Sequence, residues 1–213
     1  MRVLGISCSP RKGGNTEILI REALSEARKA GAEDTEFLSL AGKKMSPCEA
    51  CGACLKTGNC RIEDDMQAIY PSLIQADGII IGTPVYFWTV SAQAKILIDR
   101  TYCIIRGKNG NLLRGKIGAG IVVTGRAGGT TALEVLNNYI TFNARLTGVG
   151  GGIAYRYNAG AVKQDDRVIA EAMAVGRAVV RGIKRSAASE GLVEDTCQPM
   201  PSKDGYHYRK VRL

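Results

Sequence analysis

The chain has 213 residues, 45% of them hydrophobic and 23% charged, with 29 Lys and Arg against 20 Asp and Glu for a formal charge of +9. That length suits one large core with a short appendage, and that composition excludes disordered and fibrous classes. The apolar opening is broken at Gly5 and too short for an export signal, and no apolar run approaches the roughly 20 residues of a membrane helix, so a cytoplasmic protein without a membrane role is expected. The cations are dispersed. Only residues 203–212 gather base with tyrosines, which reads as a solvated or subunit-contacting end and gives no ground for a nucleic-acid partner. Attraction to acidic partner proteins is the sharper alternative.

Strand and helix signals alternate along the chain. Residues 2–7 form a β-rich run that ends in a Ser/Pro/Gly loop, and residues 16–30 carry Leu19, Ala23, Ala27 and Ala30 on one helical stripe. Residues 35–40 predict a second strand. A cysteine-rich segment, 46–61, follows it; residues 64–76 then read as a helix despite Pro71, and residues 77–82 as a buried strand of consecutive isoleucines. Residues 91–105 predict a helix with Ala94, Ile98 and Tyr102 at spacing four. Residues 116–123 predict a strand, 130–146 a helix, 149–155 the fifth strand and 165–185 a closing helix. From Glu190 the periodicity is lost, and residues 190–213 are expected to form an arm on a single domain spanning 1–189. Five strands joined by helical crossovers imply a five-stranded parallel sheet covered on both faces, a doubly wound α/β domain with a cysteine-rich insertion after strand two.

The 26 glycines cluster in loops, where positive φ or close backbone approach to a ligand is needed. In the first β–α loop, residues 7–16, neither G-x-G-x-x-G nor G-x-x-x-x-G-K-[ST] is present, so dinucleotide and nucleoside-triphosphate readings lose their main support. Hydroxyls, two cations and two glycines feeding a helix N-terminus suit one phosphate monoester instead. Main-chain N–H groups, Ser9 and Thr16 would bind the dianion, with Gly14 allowing approach and Arg11 or Lys12 assisting. Asn15 or Thr16 as a plain helix cap is the alternative.

Two more loops stand at matching places. Strand three ends in Thr83, Pro84, Val85, Tyr86, Phe87 and Trp88; strand four ends in Thr124, Gly125, Arg126, Ala127, Gly128 and Gly129. Ligands of open α/β sheets lie beyond the carboxyl ends of the strands at the switch point, so one planar ligand with a phosphate would meet all three loops. A hydrophobic plug or dimer contact is the other reading of the aromatic trio, and the two are compatible.

These loops resemble those of the flavodoxin-like NAD(P)H-dependent reductase superfamily. The similarity spans about residues 1–185, with residues 7–16 like its FMN phosphate loop and 82–86 like its flavin-ring loop. It implies noncovalent FMN, its ring flanked by residues 83–87 and 124–129. Arg126 would stabilise an anionic reduced flavin or face solvent.

Four of the seven cysteines, Cys48, Cys51, Cys54 and Cys60, follow the spacing C-x2-C-x2-C-x5-C. Short spacers wrap a chain round one small object, and three potential ligands within seven residues tilt the choice towards a 4Fe–4S cluster over zinc, with free or redox-paired thiols as the remaining alternative. Such a run after strand two of an FMN fold resembles the iron-sulfur flavoprotein family. By that resemblance the four are cluster ligands, and homodimers or homotetramers bring cluster and flavin close. Cys8 counts for its backbone, Cys103 as a core residue, Cys197 has no evident role, and His207, the one histidine, reads as a surface residue.

The expected function is electron relay from a low-potential donor such as ferredoxin to a redox enzyme or small oxidants. An NAD(P)H-dependent FMN or quinone reductase is the second reading. A zinc or nucleic-acid binding module comes last, since it leaves three loops unexplained. No Ser/His/Asp set or paired catalytic carboxylates are visible.

Overall fold

The computed structural model describes residues 1–189. The expected arm, with Cys197, His207 and the basic run, lies outside the described residues. Among the described residues six strands are formed: β1 (Arg2–Ser7), β2 (Asp34–Ser39), β3 (Gly78–Tyr86), β4 (Thr89–Val90), β5 (Ile117–Thr124) and β6 (Thr147–Tyr155). The helices are α1 (Asn15–Lys29), α2 (Ala53–Thr57), α3 (Met66–Gln75), α4 (Ala92–Arg100), α5 (Tyr102–Arg106), α6 (Gly129–Asn138) and α7 (Asp166–Ser189). Five strands run parallel in the order β2-β1-β3-β5-β6, with the two-residue β4 folded back antiparallel on β3. Chain order reverses at β1, which places the switch point between β1 and β3.

Burial on both faces explains why the central strands are runs of apolar residues without alternation. Ile79 and Ile81 enter the core beneath α3, α4 and α6, while Ile80 enters the core beneath α1 and α7. Each such side chain contributes about 1.5–3 kcal/mol by leaving water. Gly176 on α7 permits a close helix crossing, since a Cβ there would stand 2.0 Å from the carbonyl oxygen of Ala23 on α1.

Three of the departures from the sequence reading have a clear physical reason. β3 runs on to Tyr86, past its expected end at Gly82. Pairing with β1 stops at Ser7 and Gly82, so the N–H that Pro84 lacks would have faced an already open side of the strand. β3 then turns into β4 through Phe87 (φ 45°) and Trp88 (φ 70°), a two-residue hairpin that needs positive φ at both positions. The segment expected as one helix over 91–105 breaks at Thr101, whose hydroxyl donates to the Ile98 carbonyl at 2.6 Å. Its buried face is Ala94, Leu97 and Arg100 rather than Ala94, Ile98 and Tyr102. The helix expected over 130–146 is regular only to Asn138, and one wider turn, Tyr139–Asn143, completes it around the buried Tyr139 ring.

Candidate functional site

At the carboxyl edge of the sheet the ends of β1, β3, β5 and β6 surround a cleft of about 520 Å³, within the size range of cofactor sites. One wall is the first β–α loop. Ser9 Oγ accepts the Arg11 N–H at 3.1 Å and fixes the loop's turn. Gly14 then starts α1 without any side-chain cap, so the first-turn N–H groups are left for a ligand. Gly13 (φ 66°) donates its N–H to Glu17 at 2.8 Å. Burial raises the Glu17 pKa, but that bond and Arg21 outweigh it and hold the carboxyl below its usual range.

The second wall is stitched to the first by two buried hydroxyls. Thr83 Oγ1 accepts the Ser91 N–H at 3.0 Å, and Ser91 Oγ donates to the Cys8 carbonyl at 2.7 Å. Those bonds tie the ends of β1 and β3 to the start of α4. Beyond them Pro84, Val85, Tyr86 and Phe87 line the cleft, joined by Trp88. Phe87 is 99% exposed and Trp88 66%, values that leave both rings available to a planar ligand or a partner surface. In the third loop Thr124 Oγ1 donates to the Ala127 carbonyl at 2.6 Å, and Thr124, Gly125 and Arg126 line the cleft.

Of the residues expected from sequence, Ser9, Arg11, Gly14, Asn15 and Thr16 are brought to the cleft from the first loop. Lys12 lies on the loop's exposed side, and Thr83 is spent on Ser91. Gly128 and Gly129 sit behind the wall: a Cβ at Gly128 would stand 2.7 Å from the Trp88 backbone, and one at Gly129 2.7 Å from Ile153.

A fourth loop was missed, although it lies at the same edge. Arg156 N–H donates to the Thr124 carbonyl at 2.8 Å, and its guanidinium pairs with Asp165. Tyr157 covers Gly125, where a Cβ would stand 2.6 Å from the ring. Asn15 reaches across, donating to the Asn158 carbonyl at 2.8 Å and accepting the Val162 N–H at 3.5 Å. The run Tyr155-Arg156-Tyr157 after the fifth strand was the available signal.

The cysteine segment lies apart from the cleft. Ala50 (φ 52°), Gly52 (φ 70°) and Gly58 (φ 82°) turn the chain round α2, which bears Cys54. Cys48 and Cys51 are exposed and Cys54 and Cys60 half-buried. Burial first, and then the charges of Cys60, Cys48 and Cys51, push the Cys54 thiol up. The Ala53 N–H and Arg61 lower the Cys51 thiol. Among the described residues no three Cys, His or carboxylate side chains are drawn to one metal-sized point. What fits a cluster here is the donor chemistry, four free thiols on one short segment. Cys103, expected as a plain core residue, is buried but borders this segment, its Sγ–H donating to the Gly58 carbonyl at 3.4 Å.

A parallel sheet with the flavodoxin strand order and an uncapped helix N-terminus at its switch point defines a flavodoxin-like α/β protein. A flavodoxin from the domain Archaea superposes with a TM-score of 0.54 at 14% identity, covering 86% of this chain and 99% of that one. Residues 1–158 match the family described as NADPH-dependent FMN reductase. An iron-sulfur flavoprotein of Methanocaldococcus jannaschii is 39% identical over 193 residues, which are 86% of this chain and 98% of that protein. One from Methanosarcina thermophila is 45% identical over 130 residues, 61% of this chain and 66% of that protein. The chain belongs to the iron-sulfur flavoprotein family, and its work is flavin-dependent oxidoreduction. Among the described residues no helix is long and apolar enough to cross a membrane.

Proposed function

We propose that the chain relays electrons between a noncovalent FMN in the switch-point cleft and a 4Fe–4S cluster on Cys48, Cys51, Cys54 and Cys60, taking them from a low-potential donor such as ferredoxin. The observation that carries this reading is the coexistence, on one chain, of a cleft closed by an uncapped helix N-terminus and a separate four-thiol loop. The first-turn N–H groups of α1 with Ser9, Thr16 and Arg11 would hold the phosphate. Residues 84–88 and Tyr157 would flank the ring, and Arg126 would favour its anionic reduced form. FMN exchanges one or two electrons and the cluster one, so the pair converts single-electron supply into two-electron delivery. A homodimer or homotetramer would bring the two centres close, in a cytosol reducing enough to keep the thiols free.

The family match to NADPH-dependent FMN reductases supports one second reading, direct reduction by NAD(P)H. Anaerobic rates of flavin reduction by reduced ferredoxin, NADH and NADPH separate the two. The net charge of +9 should steer an acidic donor, so the ferredoxin rate is expected to fall by about tenfold or more between low and high salt. Rapid NADPH reduction that ignores salt would establish the reductase instead.

A further inference from the structure

The cysteine segment is a loop with a closed neck. Lys44 N–H donates to Asp65 Oδ2 at 2.6 Å, Asp65 N–H returns to the Lys44 carbonyl at 3.1 Å, and Ser46 N–H donates to Asp64 Oδ2 at 2.8 Å. Gln67 adds amide bonds to the Cys60 and Ile62 carbonyls at 3.0 and 2.7 Å. Into this neck projects Arg100, the last residue of α4, with a side chain 0% exposed. One guanidinium nitrogen donates to the Ser46 carbonyl and to Asp64 Oδ2, each at 2.7 Å. The other donates to Asp64 Oδ1 at 3.0 Å and to the Ile62 carbonyl at 3.3 Å. A single planar fork thus holds the residue two before Cys48 and the residue two after Cys60.

Stability alone is a poor reason for this arrangement, because a buried ion pair is often replaced by apolar side chains at no loss. This one also leaves the Arg100 Nε–H buried without a partner among the described residues. Location explains it better. The Arg100 carbonyl is itself fixed by the Tyr70 hydroxyl at 3.0 Å, so the fork is mounted on a rigid element that spans both ends of the loop. Burial opposes the guanidinium charge, yet Asp64, with smaller help from Tyr70 and Cys60, more than restores it. The Ile62 carbonyl that accepts from Arg100 lies two residues past Cys60, which places this cation at the end of the cysteine segment.

We propose that Arg100 is a positioning residue for the cysteine segment: it closes the neck so that Cys48, Cys51, Cys54 and Cys60 are presented as one set, and it sets a fixed positive charge beside them. This rests on the cluster reading. Lysine keeps the charge but not the fork, and glutamine keeps neither.

The test compares wild type, Arg100→Lys and Arg100→Gln in two arms. In the metal-free full chain, iodoacetamide labelling of Cys54 and Cys60 is followed by mass spectrometry; opening of the neck should speed it by about tenfold or more in Arg100→Gln. After anaerobic reconstitution with iron and sulfide, iron retention should fall in both variants while bound FMN stays at the wild-type level. The midpoint potential of whatever cluster remains should move negative in Arg100→Gln and return in Arg100→Lys, since a nearby cation favours the more negative reduced form. Wild-type labelling rates, iron retention and potential in both variants would overturn the proposal. Should Arg100→Gln fail to fold, Arg100→Lys decides it through labelling and iron retention. A wild-type chain that takes up no iron sinks the cluster reading, and the labelling arm still decides whether Arg100 holds the neck.

Discussion

Cys54→Ala should abolish the broad visible absorbance of the cluster together with its iron and acid-labile sulfide, and leave FMN bound at about one per chain. The separation of the two sites supports both halves of that result. No residue lining the cleft comes from the segment 46–61, and the bonds that tie Ser91 to Thr83 and Cys8 and Asn15 to Asn158 do not involve that segment. Cys54 is held on α2 with its carbonyl accepting the Gly58 and Lys108 N–H groups at 3.0 Å each, so alanine removes the sulfur and keeps the backbone. Cys103→Ala provides the contrast. Burial pushes its thiol up to about 11, so on the order of one molecule in a thousand carries the thiolate at pH 8. The sign follows from the raised value: the folded state keeps this proton, and what the thiol contributes to stability is lost only as pH rises past the usual cysteine range towards 11. Iron content in Cys103→Ala should match wild type. Loss of iron as complete as in Cys54→Ala would mean that the ligand set has been drawn wrongly.

The sheet was legible because both faces of the central strands are buried, and a run such as Ile79, Ile80 and Ile81 suits a strand covered by helices on both sides. Strand ends were less legible. The expected end at Gly82 falls short of Tyr86, and only the pairing with β1 tells that the N–H Pro84 lacks falls on an open side. Phe87 and Trp88 carry no hairpin signal, since positive φ is a glycine and asparagine habit, and here the hairpin holds despite its residues. Arg100 was invisible for a related reason. A helical stripe is found by its apolar members, and the buried member here is an arginine whose partner, Asp64, lies 36 residues away. The loop after β6 could have been found by applying the strand-end rule a fourth time, yet the bond that aims it at the cleft runs from Asn15 to Asn158, 143 residues apart.

That bond underlies the second large effect. Asn15→Ala should weaken FMN binding by roughly 10–100-fold, the loss of one good and one long hydrogen bond at a buried site. Asn15 is 8% exposed, so no water replaces its amide freely, and the Asn158 carbonyl is left with the Ala161 N–H at 3.2 Å in place of two donors. The consequence is carried by Arg156, Tyr157 and Ala159, which line the cleft from the loop that Asn15 tethers. A tether acts on the ring end of the ligand as well as on the phosphate end. Titration with riboflavin, which lacks the phosphate, should therefore lose affinity by a similar factor in Asn15→Ala, whereas Arg11→Ala should weaken FMN and spare riboflavin. Asn15→Ala and Tyr157→Ala combined should cost less than the sum of the two, because they act through one loop. If Asn15→Ala binds both ligands as wild type does, the loop after β6 is no wall of the site. If it weakens FMN alone, Asn15 serves the phosphate and the tether is incidental.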